Sequence, residues 1–209
     1  MHADDTISGY TYGRPQVSTS PVSMDVSMPV SMPVSMEELR QLESAVGWSD
    51  DDAAWLRQAA EALVPQAEQM VDSWREAIGR QPHLLASFLK PDGQPDDAYK
   101  AAVKRRFVQW VSDLCLRAHD QQWLDYQEEI GLRHTPAKKN RTDGGHTPSV
   151  VPLRYTVGFA AVIVTSVRPF LAQSGRPANE LDRMQAAWTR AVLLSIALWS
   201  RAYTAHGLW

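Results

Sequence analysis

Residues 123–140 read WLDYQEEIGLRHTPAKKN, and the spacing within them decides the fold class. Trp123, Ile130 and His134 stand seven and then four residues apart, close to two turns and one turn of an α-helix. Asp120, just upstream, is a capping residue type, so the stretch predicts a capped helix with a histidine on its apolar side near the C-terminus. An imidazole in that place needs partners for its ring nitrogens. Two answers stand open: a structural histidine bonded to a neighbouring carbonyl, or a ligand to something bound inside. On periodicity alone the structural histidine is the plainer account.

The same period extends in both directions. Ser49 followed by three aspartates opens a helix through Trp55, Leu56 and Leu63. Pro65 marks a break or the first turn of the next helix, which carries Met70, Val71, Trp74 and Ile78 and ends near Gly79. A short helical turn at 82–88 and a Pro/Gly loop at 90–95 lead into a long helix over about 96–117. Its stripe of Val103, Phe107, Trp110 and Leu114 is spaced 4, 3, 4. Beyond His134, a polar loop at 138–145 precedes an apolar helix from Pro152 toward Leu171. A final long helix carries Leu181, Met184, Trp188, Val192, Ser195 and Trp199. Strand signals are almost absent, and the pattern predicts an all-α fold of packed helices.

Residues 1–36 differ in kind. From Pro21 to Met36 a four-residue unit repeats as PVSM, DVSM, PVSM, PVSM, which reads as an extended or flexible tether rather than a helix. Its methionines lack the accompanying His or Cys of a metal tract. The chain thus divides into an N-terminal extension, 1–36, and one domain, 37–209.

Composition narrows the function classes. A formal net charge of −3 over 209 residues, with 44% hydrophobic and 22% charged residues, carries no basic excess for nucleic acid. The single cysteine, Cys115, excludes an intramolecular disulfide, a thiolate metal cluster and a CxxCH haem attachment, and suits a reducing compartment. The N-terminus lacks the charged and apolar regions of a secretory signal. The most apolar stretch, 157–167, is interrupted by Arg168 and Pro169 and reads as too short to span a bilayer. A cytoplasmic protein with neither membrane nor nucleic-acid partner is expected.

No P-loop, GxGxxG, HExxH or GxSxG is present, and no pair of acid and base groups reads as catalytic. Asp50–Asp52 read as a helix cap, and the pairs Asp96–Asp97 and Glu128–Glu129 as solvated faces or caps. Of six histidines, His2 and His206 lie near the ends, His146 lies in a loop, and His83 and His119 have no ligand spacing. His134 remains. One histidine facing a space lined by Val103, Phe107, Ile130, Phe159 and Ile163 suits a haem held by one axial ligand, since neutral imidazole donates to iron and apolar walls exclude water.

Several stretches then match a known family: GYTYG (9–13), QPHLL (81–85), PDGQP (91–95), AAVKRRF (101–107), WLDYQEEIGLRH (123–134), KKNRTD (138–143), VRPFLA (167–172) and ALWS (197–200). On these the chain resembles the protoglobins, single-domain relatives of the haem domains of globin-coupled sensors. The resemblance implies a globin-like fold, a 3-over-3 helical sandwich with an N-terminal extension that includes GYTYG. It implies haem b as cofactor, with His134 as the proximal iron ligand and Trp74 on the distal side. Phe107 and Phe159 would flank the haem, and Val103, Ile130, Val151 and Ile163 would line the pocket or its tunnels. Arg106 is a candidate for a haem propionate, with a solvated basic face as the alternative. Diatomic gases (O2, CO, NO) would be the ligands, for sensing or detoxification, and pairing would be a homodimer through the helices at about 152–173 and 178–204.

Three departures stand out. The family usually has a tyrosine after the distal tryptophan, able to donate to bound O2, and Arg75 stands there. Lys100 occupies a position that is commonly apolar. The VSM repeat is an insertion. No transmitter domain follows, so direct signalling output is not expected from this chain. A five-coordinate haem reached by tunnels could carry out promiscuous chemistry of peroxidase, NO dioxygenase or carbene-transfer type, but no acid–base pair near the iron is identifiable. The rival from another class is a haem-free, globin-like signalling or dimerisation module.

Overall fold

The computed structural model describes residues 34–204, together with the two-residue strands β1 (Thr6–Ile7) and β2 (Tyr10–Thr11). The strands pair antiparallel, Thr6 with Thr11 and Ile7 with Tyr10. Most of the VSM repeat, the rest of GYTYG, His2 and His206 lie outside the described residues.

Nine α-helices follow among the described residues, and local chemistry sets their ends. In α1 (Met36–Val46), Ser35 and Glu38 form a capping box, and Gly47 closes the helix in the left-handed region at φ 70°. In α2 (Asp50–Leu63), the Ser49 N–H and Oγ both donate to Asp52 Oδ2 at 2.9 Å. The acidic run is therefore a cap, and Asp52 Oδ1 also accepts from Arg190 at 2.6 Å. Pro65 lies in a 3-10 turn, Val64–Gln66, that leads into α3 (Ala67–Gly79). The short α4 (Pro82–Leu85) and a second 3-10 turn, Ala86–Phe88, complete the first half.

Asp96 caps α5 (Asp97–Leu116) by accepting from the Tyr99 N–H at 3.0 Å, and Asp120 caps α6 (Gln121–Leu132) by accepting from the Trp123 N–H at 2.8 Å. After the loop come α7 (Leu153–Ser166), α8 (Arg168–Ala172) and α9 (Ala178–Ser200). Pro169 stands in the first turn of α8, where its missing N–H costs nothing, so it does not stop the chain from staying helical. The stretch Leu153–Ala172 is consequently long and apolar enough for a membrane crossing by length and composition, contrary to the sequence expectation. Here it packs on α9 instead.

α9 is the axis of the fold. It packs against α1, α2, α5, α6, α7 and α8, and α5 packs against α2 and α3. One core gathers Leu63, Met70, Trp74, Trp110, Trp188 and Val192 between these helices, and a second gathers Leu39, Trp123, Leu124, Leu194 and Leu198 under α1. The all-α fold expected from the helical periodicity, and the globin-like fold that the resemblance implies, are what is found.

Candidate functional site

The site begins with how α6 meets α9. A Cβ on Gly131 would sit 3.0 Å from the Trp199 carbonyl oxygen and 3.1 Å from its Cα, so any side chain there would press the two backbones apart. That approach brings His134, just past the end of α6, against Trp199. The two rings stack with centroids 5.5 Å apart and 18° between planes. The His134 N–H donates to Gly131 O at 3.0 Å, and its carbonyl accepts from the Val151 N–H at 2.8 Å.

The His134 Nδ1 lies 2.8 Å from the Ile130 carbonyl oxygen. A carbonyl can only accept, so Nδ1 carries the hydrogen and Nε2 keeps its lone pair. Burial pushes the ring's pKa down, against the smaller upward pull of the Ile130 bond, while the nearby charges of Lys139 and Arg106 push the same way as burial. His134 is therefore a neutral imidazole with one committed nitrogen and one available one.

That histidine lines an interior cavity of about 190 Å³. Val103, Arg106 and Phe107 of α5, Ile130 of α6, Val151 of the loop, and Phe159 and Ile163 of α7 line it too. The structure thus brings eight of the ten sequence candidates to one space. It adds Ile78, Tyr99, Trp110, Tyr155 and Trp199, which periodicity placed in helices without indicating a shared wall.

The other two candidates stand apart. Trp74 is buried behind Phe107, with ring centroids 5.4 Å apart, and its indole N–H donates to Ser166 Oγ at 2.8 Å. Arg75 turns outward with its side chain 34% exposed, and Nη1 lies 3.4 Å from Asp72 Oδ1. A guanidinium beside a surface carboxylate avoids the desolvation that an apolar cavity would impose. Lys100 likewise does not line the cavity and approaches Asp97 at 3.7 Å.

Arg106 is engaged as well: its Nη1 and Nη2 donate to Asp143 Oδ1 and Oδ2 at 2.8 and 2.6 Å. Glu129 is not on a solvated face, because it is buried at the end of α6 and binds both Arg133, at 2.8 Å, and Lys138. Lys139, also buried, donates to Ser87 O at 3.0 Å and to Thr147 Oγ1, and lies over the Tyr99 ring. Burial pushes its pKa down to about 8. The loop after His134 is pinned at several points by packing, while Glu129–Arg133 is the ordinary four-residue pair of a helix.

Among the described residues no cluster of three or more His, Cys, Asp or Glu could hold a bare metal ion. The donor set fits a different group: one neutral nitrogen at an apolar cavity with an arginine at its edge suits a planar, acidic cofactor that brings its own metal chelate. The protoglobin family profile matches residues 35–209. No curated protein matches the chain. Proteins of that family are globins that bind haem and, through it, diatomic gases.

Proposed function

Since the chain belongs to the protoglobin family, we propose that it binds haem b in this cavity with His134 as its one protein ligand to iron. The observation that carries the reading is the Nδ1 contact to Ile130 O at 2.8 Å, which leaves Nε2 available on a residue that lines the cavity. The bound haem supplies an open coordination position for O2, CO or NO.

The chain's residues do the rest. Ile130 O holds the imidazole's tautomer and orientation, and Trp199 supports its face. Val103, Phe107, Ile130, Val151, Phe159 and Ile163 exclude water from the two faces of the cofactor. Trp74 braces Phe107 from behind. Arg106 offers N–H donors to a propionate at the cavity edge. The Trp74 N–H is committed to Ser166, and Arg75 faces Asp72, so neither donates to the gas.

Cytoplasmic gas sensing or detoxification fits this site, as does a homodimer through α7 and α9, where Val157 and Leu193 are 52% and 46% exposed. The same exposed residues are what favours the second reading, a haem-free dimerisation module.

The purified protein supplemented with haem separates the two. A Soret band in the wild type, diminished in His134→Ala and restored by added imidazole, is expected. A colourless wild type under the same conditions overturns the haem reading.

A further inference from the structure

The contact between Arg106 and Asp143 has the form of a positioning device. Arg106 lines the cavity, whereas Asp143 belongs to the loop after His134 and lies off the lining, behind the guanidinium. The two oxygens of Asp143 take one hydrogen from each terminal nitrogen, at 2.8 and 2.6 Å. This end-on fork uses two of the five guanidinium N–H donors and does not engage Nε–H or the second hydrogen on each terminal nitrogen.

An incoming anion does not dislodge Asp143 easily. Its side chain is only 5% exposed. Stripping its partner would leave a buried carboxylate unpaired, which is strongly unfavourable. The loop on either side of it is held independently, by the Lys139 side chain on Ser87 O and by the Gly145 N–H on Asn140 O at 3.0 Å. Gly145 also lies so near Tyr99 that a Cβ would stand 3.1 Å from the ring. A fixed carboxylate therefore fixes the guanidinium, and the rotamer entropy of Arg106 is lost on folding rather than on binding.

We propose that Asp143 is a positioning residue for an acidic cofactor: it aims the remaining N–H donors of Arg106 at the cavity edge, so that the site prefers a porphyrin with free carboxylates over its neutral ester. The proposal rests on the haem reading above.

Transfer of ferric haem, or of its dimethyl ester, from the full-length protein to excess apo-acceptor globin tests it. Asp143→Asn should release haem about tenfold faster, the scale of one charge-assisted hydrogen bond, and release the ester at the wild-type rate. Asp143→Glu should restore haem retention to within about twofold of wild type, since it keeps the fork. Equal acceleration for haem and ester would show that Asp143 merely braces the loop, and overturns the proposal. So does an unchanged or slower loss of haem in Asp143→Asn. A wild type that takes up neither porphyrin refutes the haem reading itself, and this proposal with it.

Discussion

Two histidines in this molecule stack on tryptophan, and their surroundings give them opposite roles. His134 lies on Trp199 with Nδ1 bound to a backbone carbonyl, and its ring borders a cavity. His119, between α5 and α6, is sandwiched by Trp48 and Trp123 with centroids 4.6 and 3.9 Å away, and its Nδ1 meets the Glu43 carboxylate at 2.6 Å. A backbone carbonyl fixes the tautomer and favours the imidazolium less than burial disfavours it, so the far nitrogen of His134 stays available to a ligand. A carboxylate stabilises the cation, and two aromatic faces leave no room for a bound group. The acceptor and the free space, more than burial, separate a ligand from a tie.

The largest break in that comparison is Gly131→Ala. Its new Cβ would press on the Trp199 backbone at 3.0 Å, forcing α6 from α9 and disturbing the stack that supports His134. A loss of about 1–3 kcal/mol is expected, read as a lower midpoint in urea together with faster haem transfer. His119→Ala should cost about 1–2 kcal/mol in the same unfolding experiment while leaving the Soret position unchanged. A Soret shift in that variant would erase the distinction between the two histidines.

A subtler test uses pH. Burial holds His119 below the ordinary imidazole value, although Glu43 and then Asp120 pull it up. The folded state thus favours the neutral ring, and the unfolded chain protonates first. The stability this ring contributes is complete above about pH 6.5 and is lost as pH falls through the lower folded value. Glu43→Gln removes an upward pull, so it should steepen the loss of thermal stability below about pH 6.5 relative to wild type. Parallel pH curves would rule out the pair as the source. The smallest effect belongs to Arg75→Leu, since Arg75 faces Asp72 rather than the cavity. The off-rates of O2 and CO should both stay at their wild-type values, and a selective rise for O2 would place a donor there after all.

Much of this was legible in advance, and the reason is locality. Asp96 and Asp120 cap their helices as their positions next to apolar stripes imply, because a cap bonds only two or three residues ahead. The spacing of Trp123, Ile130 and His134 put the histidine on an interior face for the same reason. Glu129, expected on a solvated face or in a cap, is buried: Arg133 reaches it as a helical neighbour four residues on, whereas Lys138 reaches it only once the chain past α6 has folded back. For Arg75 the sequence leaves open a donor beside the ligand or a side chain swung out to solvent, and the structure has the second, since neighbours on a helix point about 100° apart and Asp72 lies beside it.

The amino-acid order alone therefore determined the helices, their ends, the interior placement of His134 and, through its motifs, the family. Only the tertiary structure decided which imidazole nitrogen is committed, that Trp199 supports the ring, that Arg75 faces solvent and that Asp143 holds Arg106 across 37 residues of chain. Backbone periodicity and capping act within a turn or two. The direction of a side chain and the state of its ring depend on what distant segments bring beside it.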